Sequence, residues 1–497
     1  MDCGIRLSCE LVNKSAHGAR QMLPEGKRLP AGWTAVPIGA RGQELILTWE
    51  RTRSFPRLRL SADCLRFRIT VAVEMREMQR IEVFLARSGS TIGWIDVRCA
   101  YVFQPFELEM SLEMLDGIYE EGIGLRSAGT DDPLWIFDEL DGEEERQSFT
   151  PHLWMGKDGR RIEGFLRNMQ SLAALQPFGW LEGCVLDGMY DLRLLLGEHS
   201  MEQAIDRHLR QFVDDSGRLR YEDLYGRPSD GSFSGIESTL PVGVMAKLHP
   251  DCPLVQEAAG FWLVRSPDAN GSVTDGNTIT AEGAYTVAYP MAAAAVGLRR
   301  EKLAKMAIVQ LLNRRDALTD GPDLYLRSYG DGRPRTFRNW ARGYAWYMLG
   351  LTRTWLELHR SPYAGLPGMK EMAEEIRRIA EAALTRREPD GLWPCFLGEP
   401  ETGAETSGSA GIAAALALGA RSGLLDSRAL MAAEESLRRL ETHLTPDGFL
   451  SGVSQHNAGG EELQRGGYRV ISQMGMGLMA QLYAAVNAQG SKEERKG

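Results

Sequence analysis

The chain has 497 residues, more than a single core comfortably holds, because cores stop growing at about 250–300 residues. Hydrophobic residues make up 43% and charged residues 25%, which supports a large core and excludes a disordered chain. The formal net charge of −10 argues against a nucleic-acid groove or an anionic membrane as partner, yet a few arginines in one pocket can still bind an acidic substrate.

Met1 to Arg20 carries scattered charges and no apolar stretch of the secretory type. Five runs with a period of two then read as strands: Ile5–Val12, Glu44–Glu50, Leu58–Glu74, Arg80–Ala86 and Trp94–Phe103. Turn residues separate them at hairpin spacing, so residues 1–145 are expected to form an antiparallel β-sandwich domain. Asp138 to Arg146 is acidic and reads as a solvated connector.

From residue 146 to 497 the apolar period becomes helical, as in Met201–Val213, Lys302–Asn313, Tyr344–His359, Glu371–Thr385, Gly408–Gly419 and Ser427–Leu444. Asp/Gly turns at Asp215–Leu219, Asp390–Trp393 and Asp447–Leu450 each follow one helix and precede another. The repeated unit implies stacked helical hairpins. Roughly 350 residues accommodate about twelve helices, the number an (α/α)6 barrel uses; an open α-solenoid is the competing arrangement. Small-residue runs such as Ala292–Ala295 and Ala410–Ala420 suit a crowded inner ring.

No apolar run is long enough to span a membrane: Tyr285–Leu298 is the best and contains Pro290. The seven cysteines are odd in number and form no CxxC, which predicts reduced thiols in a cytoplasm. The eight histidines show neither HExxH nor HxH spacing, and neither a P-loop lysine nor a GxSxG elbow occurs. No metal site is expected.

Five motifs carry the chemistry: Trp180-Leu181-Glu182-Gly183, Gly235-Ile236-Glu237-Ser238-Thr239, Thr280-Ala281-Glu282-Gly283-Ala284-Tyr285, Asn339-Trp340-Ala341-Arg342-Gly343-Tyr344-Ala345-Trp346-Tyr347, and Glu405-Thr406-Ser407-Gly408-Ser409-Ala410. Glu282 precedes an apolar helix, so burial beside Tyr285 would raise its pKa and hold a proton for donation. The bland alternative is a glutamate favoured in a first helical turn. Glu237 sits at a loop-to-helix junction, where it could activate water or hold a sugar hydroxyl, or again merely cap a turn. Acetal hydrolysis needs two such carboxylates. Arg342 offers a planar, bidentate match to a uronate, with Trp340 and Trp346 to stack on a pyranose. The competing reading buries Trp346 in the core and places Arg342 in a structural ion pair, which would move the clamp to Arg338 or Arg327. Trp180, Glu405 and Ser407 complete the candidate substrate contacts, and here too helix packing is the alternative.

In this order the motifs resemble the unsaturated uronyl hydrolases, the rhamnogalacturonyl and glucuronyl enzymes of glycoside hydrolase families 105 and 88, and the related β-glucuronidases of family 154. The resemblance covers about residues 160–485; the WARGxxWY and ExSGSA segments are its most specific parts. It implies an (α/α)6 barrel, a site in a funnel at one end, and neither a metal nor an organic cofactor. In the unsaturated uronyl hydrolases an aspartate matches Glu282 as catalytic acid/base and a second aspartate matches Glu237. Glutamate at both places inclines the expectation toward an exo-acting β-glucuronidase on oligosaccharides with a terminal uronic acid. The alternatives are removal of a Δ4,5-unsaturated uronyl end and, in another class, a non-catalytic carbohydrate-binding barrel. A homo-oligomer is compatible with the sequence.

Overall fold

A computed structural model describes residues 4–11, 22–39, 44–50, 62–128, 132–140, 142, 148–157, 159, 161–197, 199–223, 226–266 and 271–488. Part of the expected acidic connector, residues 141 and 143–146, lies outside them.

The amino-terminal region holds eleven strands among its described residues. They are β1 (Gly4–Ser8), β2 (Glu10–Leu11), β3 (Ala35–Ile38), β4 (Leu45–Thr48), β5 (Cys64–Thr70), β6 (Met78–Leu85), β7 (Thr91–Arg98), β8 (Pro105–Met110), β9 (Ile123–Ala128), β10 (Leu134–Phe137) and β11 (His152–Gly156). One antiparallel sheet runs β1-β11-β5-β8, a second β2-β4-β9-β6-β7, and β3 pairs with β10. Alternation builds their buried side: Leu65, Phe67 and Ile69 of β5 are fully buried, as are Ile81 and Val83 of β6. Strand β11 lies beyond the expected boundary at 145/146 and still pairs with both β1 and β5. The run expected to Phe103 stops at Arg98, because Cys99 and Phe103 adopt left-handed backbone (φ 48° and 67°) that no strand continues.

The rest is mostly helical. After α1 (Leu115–Glu121) in the sheet region come α2 (Arg161–Met169), α3 (Trp180–Leu196), α4 (His199–Arg210), α5 (Val242–Leu248), α6 (Pro253–Arg265), α7 (Tyr289–Gly297), α8 (Glu301–Leu318), α9 (Ala341–His359), α10 (Met369–Leu384), α11 (Thr406–Arg421), α12 (Ser427–Glu441), α13 (Gly460–Arg465) and α14 (Gln473–Asn487). Helices α3, α5, α7, α9, α11 and α14 touch in succession, and α14 returns to α3, so the ring closes. Helices α4, α6, α8, α10, α12 and α2 each pack outside one ring member. A closed ring of helical hairpins excludes the open solenoid. The division of labour is visible in the sequence: outer helices α4, α10 and α12 bury one apolar stripe, whereas α9 and α11 are buried nearly all round.

Glycines make the ring tight. A Cβ on Gly477 of α14 would sit inside contact distance of the Cys184 carbonyl of α3, and one on Gly350 of α9 would strike the backbone of Ala284. Fixed backbone cannot yield as a flexible side chain can.

The sheets are tied to the barrel by buried charge. Arg68, 1% exposed, stands on β5 between His152 and Glu107 in register. Its guanidinium donates to both Asp447 oxygens (2.8 and 2.9 Å) and to Glu107. Asp447 begins the Asp/Gly turn before the last part of the barrel, and its carbonyl accepts from Asn168 Nδ2 of α2 (2.9 Å). The arginines hold Asp447 well below the usual carboxylate range despite its burial. Burial, with Arg6 and Arg68 nearby, depresses His152 to about 3.

Gly477→Ala should cost about 1–3 kcal/mol or more through a clash that cannot relax, read as a lower urea midpoint; an unchanged midpoint would mean the α3–α14 joint is looser than drawn. Acid should loosen the sheet–barrel junction. His152 stays neutral in the native state while the unfolded chain takes up a proton below about pH 6.5. Stability is therefore fully present above that pH and declines as pH falls toward 3, by about 2 kcal/mol between pH 7 and 5. Loss of the depressed Asp447 adds to this only below about pH 4. Urea titrations of wild type and His152→Gln across this range check it: the variant should show a flatter dependence between pH 7 and 5.

Candidate active site

Trp180 is the first residue of α3, Glu405 caps α11, and Arg342 is the second residue of α9. Glu237 opens a 3-10 turn (Glu237–Thr239) just before α5, and Glu282 lies just ahead of the π-helical turn Ala284–Ala288 that runs into α7. A π-turn widens the helix locally and often accompanies function. The predicted residues therefore gather at the amino-terminal ends of the inner helices.

Two local structures place Glu282. After a hairpin of β12 (Arg220–Glu222) and β13 (Pro228–Asp230), a small antiparallel sheet forms from β14 (Thr278–Thr280), β15 (Thr319–Asp320), β16 (Asp323–Tyr329) and β17 (Thr336–Arg338). Thr280 pairs with Arg327, and the next amide, Ala281 N–H, donates to the Leu326 carbonyl (2.8 Å). Glu282 thus leaves the sheet edge directly into the barrel mouth. It is 8% exposed, and its Oε1 accepts from Asn457 Nδ2 at 3.0 Å. Glu237 is partly buried, its backbone carbonyl close against Gly179, which has φ +120°.

The two carboxyls feel each other. Burial raises Glu237 to about 8, with the charges of Glu282 and Asp275 adding to the effect. Burial also raises Glu282, opposed by Arg327, the Asn457 hydrogen bond and Arg342. Like charges in a dry site resist double ionisation, so the two carboxyls are not both ionised near neutrality. One group can then donate a proton while the other accepts one.

The aromatic residues form one continuous wall. Trp340 and Trp346 meet edge to face at 5.5 Å, Trp346 meets Trp180 at 5.1 Å, and Trp180 meets Tyr101 at 6.2 Å. Arg342 lies against it, its Cζ 4.8 Å from the Trp340 ring. Its Nη2 is committed to the Ser454 carbonyl and hydroxyl (both 2.6 Å) and the Gln455 carbonyl (2.8 Å). Arg342 is only 2% exposed, with Nη2 held by the loop that carries Asn457 and Nε buried without a partner among the described residues, and its charge is felt at Glu282.

Three expectations change. Glu405 and Ser407 have no exposed surface: Glu405 accepts from the amides of Ser407, Gly408 and Ser454 and from the Ser407 hydroxyl. They cap α11 and hold the 454 loop, and they do not face a ligand. Tyr285 does not line the Glu282 pocket either. It turns into the barrel core, where it and Tyr289 both donate to buried Asp187 (each 2.6 Å).

Several site residues have no motif to announce them. Asn457 and His456 lie in the 453–459 loop. Arg76 and Tyr101 come from the amino-terminal region; Arg76 Nη1 is 3.2 Å from His456 Nδ1, and the Tyr101 ring meets His456 edge-on at 4.8 Å. Burial and the three arginines Arg76, Arg342 and Arg327 keep His456 well below its ordinary pKa. Only the alternation of β7 running out before Tyr101 could have hinted at that loop. Among the described residues no group of three or more His, Cys, Asp or Glu is arranged to hold a metal ion, and no helix is long and apolar enough to cross a membrane.

Asn457→Ala should move the alkaline limb of the pH–activity profile to higher pH, because Glu282 loses a donor that favours its ionised form. Rates against pH for the two proteins test this; coincident alkaline limbs would show that the bond contributes nothing to the ionisation.

Residues 281–487 match the family model "Glycosyl Hydrolase Family 88". None of the curated proteins searched matches the chain. Among solved structures, a family 105 glycoside hydrolase of C. acetobutylicum is 17% identical, with a TM-score of 0.55 over 66% of this chain and 99% of its own. A family 88 glycosyl hydrolase of Bacteroides vulgatus is 16% identical, with a TM-score of 0.52 over 65% and 98%. At these identities the structures speak for the fold, and the family match speaks for the chemistry. On that match the chain is a glycoside hydrolase, similar over residues 281–487 to family 88 and in fold to the family 105 and family 88 structures.

Proposed function

We propose that the chain removes a terminal Δ4,5-unsaturated uronyl residue from an oligosaccharide, acting from the chain end. The observation that carries this is the family 88 match, which begins at the segment bearing Glu282. Glu282 is the acid/base. Its carboxyl protonates C4 of the C4=C5 bond, and the resulting carboxylate takes a proton from the water that adds at C5. The hydrated ring then opens and the aglycone leaves. Glu237 shares the pair's proton and keeps Glu282 basic enough to take one back.

A second reading is hydrolysis of a saturated β-glucuronide, which the coupled Glu237–Glu282 pair favours, since an ordinary acetal needs both an acid and a second carboxylate. The loss of C4=C5 absorbance on an unsaturated disaccharide, set against release from a chromogenic β-glucuronide, separates the two. Turnover of the chromogenic substrate alone would replace the first reading by the second.

The amino-terminal sheets are read here as a β-sandwich packed on an (α/α)6 barrel, with the domain division moved to about residue 157 to include β11. Cys99, Cys184, Cys252 and Cys395 carry free thiols, which supports a reducing, cytoplasmic setting. The aromatic wall of Trp180, Trp340 and Trp346 lines the sugar site.

Glu282→Gln should keep the fold and lower kcat by about 10²–10⁴-fold or more, because the amide cannot exchange a proton. Wild-type activity should fall on the alkaline side as the pair loses its shared proton near pH 8. Glu237→Gln removes the neighbouring charge, so the remaining carboxyl should titrate lower and the alkaline limb should move down. Circular dichroism controls for folding, and kcat near wild type in Glu282→Gln would remove it from the acid role.

A further inference from the structure

Resting on that reading, we infer that Arg327, on the β16 hairpin, is the residue that binds the carboxylate of the terminal uronyl group. A uronide-specific site must hold an anion beside two carboxyls that would repel it. It therefore needs a guanidinium whose donors are not already used.

The arginines around Glu282 differ in this respect. Arg342 spends Nη2 on three acceptors of the 454–455 loop and is only 2% exposed, its one buried donor without a partner, Nε, being closed off from solvent. Arg76 is bonded to Glu74 and stands against His456. Arg338 points away to Asp323, with which it pairs. The Arg327 guanidinium makes no hydrogen bond or ion pair among the described residues, so no carboxylate of theirs lies within 4.0 Å of it. It is half-buried, on the middle strand of its sheet, flanked in register by Thr280 and Thr336. Its Cζ rests 5.5 Å from the Phe337 ring, and Phe337 in turn meets Trp340 at 5.4 Å, so the guanidinium continues the aromatic wall.

Its position also fits the reaction. Thr280, its partner in register, is two residues ahead of Glu282, and the charge of Arg327 acts on Glu282, Glu237 and His456. A partly desolvated cation left without a counter-ion is costly unless a ligand completes it. The planar fork suits a carboxylate bidentately. Bound there, the uronyl group would bring its C4–C5 edge toward the acid and lay its ring along the tryptophans. The Arg327 charge would meanwhile offset the repulsion between the substrate's carboxylate and the ionised partner of the Glu pair.

The test compares wild type, Arg327→Lys and Arg327→Gln on an unsaturated uronyl disaccharide and on the chromogenic β-glucuronide, each as free acid and as methyl ester. Arg327→Gln should raise KM for the acids about 10- to 100-fold, with far less change for the esters, so the acid-over-ester preference collapses. Arg327→Lys should recover part of it. Because Arg327 holds no structural bond, melting temperatures should match. An intact acid-over-ester preference in Arg327→Gln would overturn the assignment. Should wild type turn over none of the substrates, the hydrolase reading fails on its own account, and D-glucuronate binding followed by tryptophan fluorescence decides the subsite. Binding by wild type that Arg327→Gln loses upholds the subsite. Equal binding, or none by wild type, overturns it.

Discussion

Everything at the catalytic end depends on how closely the inner helices approach one another. Gly188 and Gly477 let α3 and α14 meet backbone to backbone, and Gly350 does the same where α9 crosses the π-turn. Such contacts are short because no side chain intervenes, and their cost in chain entropy is offset by burial on all sides of α9 and α11. Were the ring wider, Glu237 and Glu282, which belong to neighbouring hairpins, would stand farther apart and the charge of one would act less on the other. Packing in the barrel wall thus sets the ionisation of the site.

The amino-terminal region takes part in this architecture in two places. At one, Arg68 joins Glu107 of its own sheet to Asp447 of the barrel, with burial compensated by paired acids. At the other, the loop after β7 carries Tyr101 to the aromatic wall. The loop is held by its own hydrogen bonds: Tyr101 N–H donates to Gln104 Oε1, and Gln104 Nε2 donates to the Ile471 carbonyl just before α14. A rigid loop anchored to the barrel makes the sheets part of the site's frame.

Much of the architecture was legible because periodicity is a direct imprint of burial. The change from a period of two to one of 3.6 is written in the side chains that face the core, and the Ala- and Gly-rich runs mark the crowded ring. The boundary was not legible. Strand β11 follows an acidic stretch that ends a compositional block, but a strand joins a sheet by backbone pairing, which composition does not record. In the candidate site, Glu237 and Glu282 could be picked out as candidates because each stands in a distinctive turn before a helix. Glu405 misled because a carboxylate that caps its own helix looks, in sequence, like one held out for a ligand. Asn457 and Tyr101 were hidden because each reaches the site through tertiary pairing rather than local spacing.

The gathering of site residues at the starts of α3, α5, α7, α9 and α11 also has an electrical meaning. Each helix presents roughly half a positive elementary charge at that end, arising from amide groups that have no partner within the helix. At α11 the Glu405 carboxylate already meets this charge; at the other helix starts the partial charges add, and they cannot be titrated away as side chains can. A chain whose formal charge is −10 can in this way keep a locally positive opening. An anion would then be drawn toward that end of the barrel by the backbone itself, before any side chain touches it.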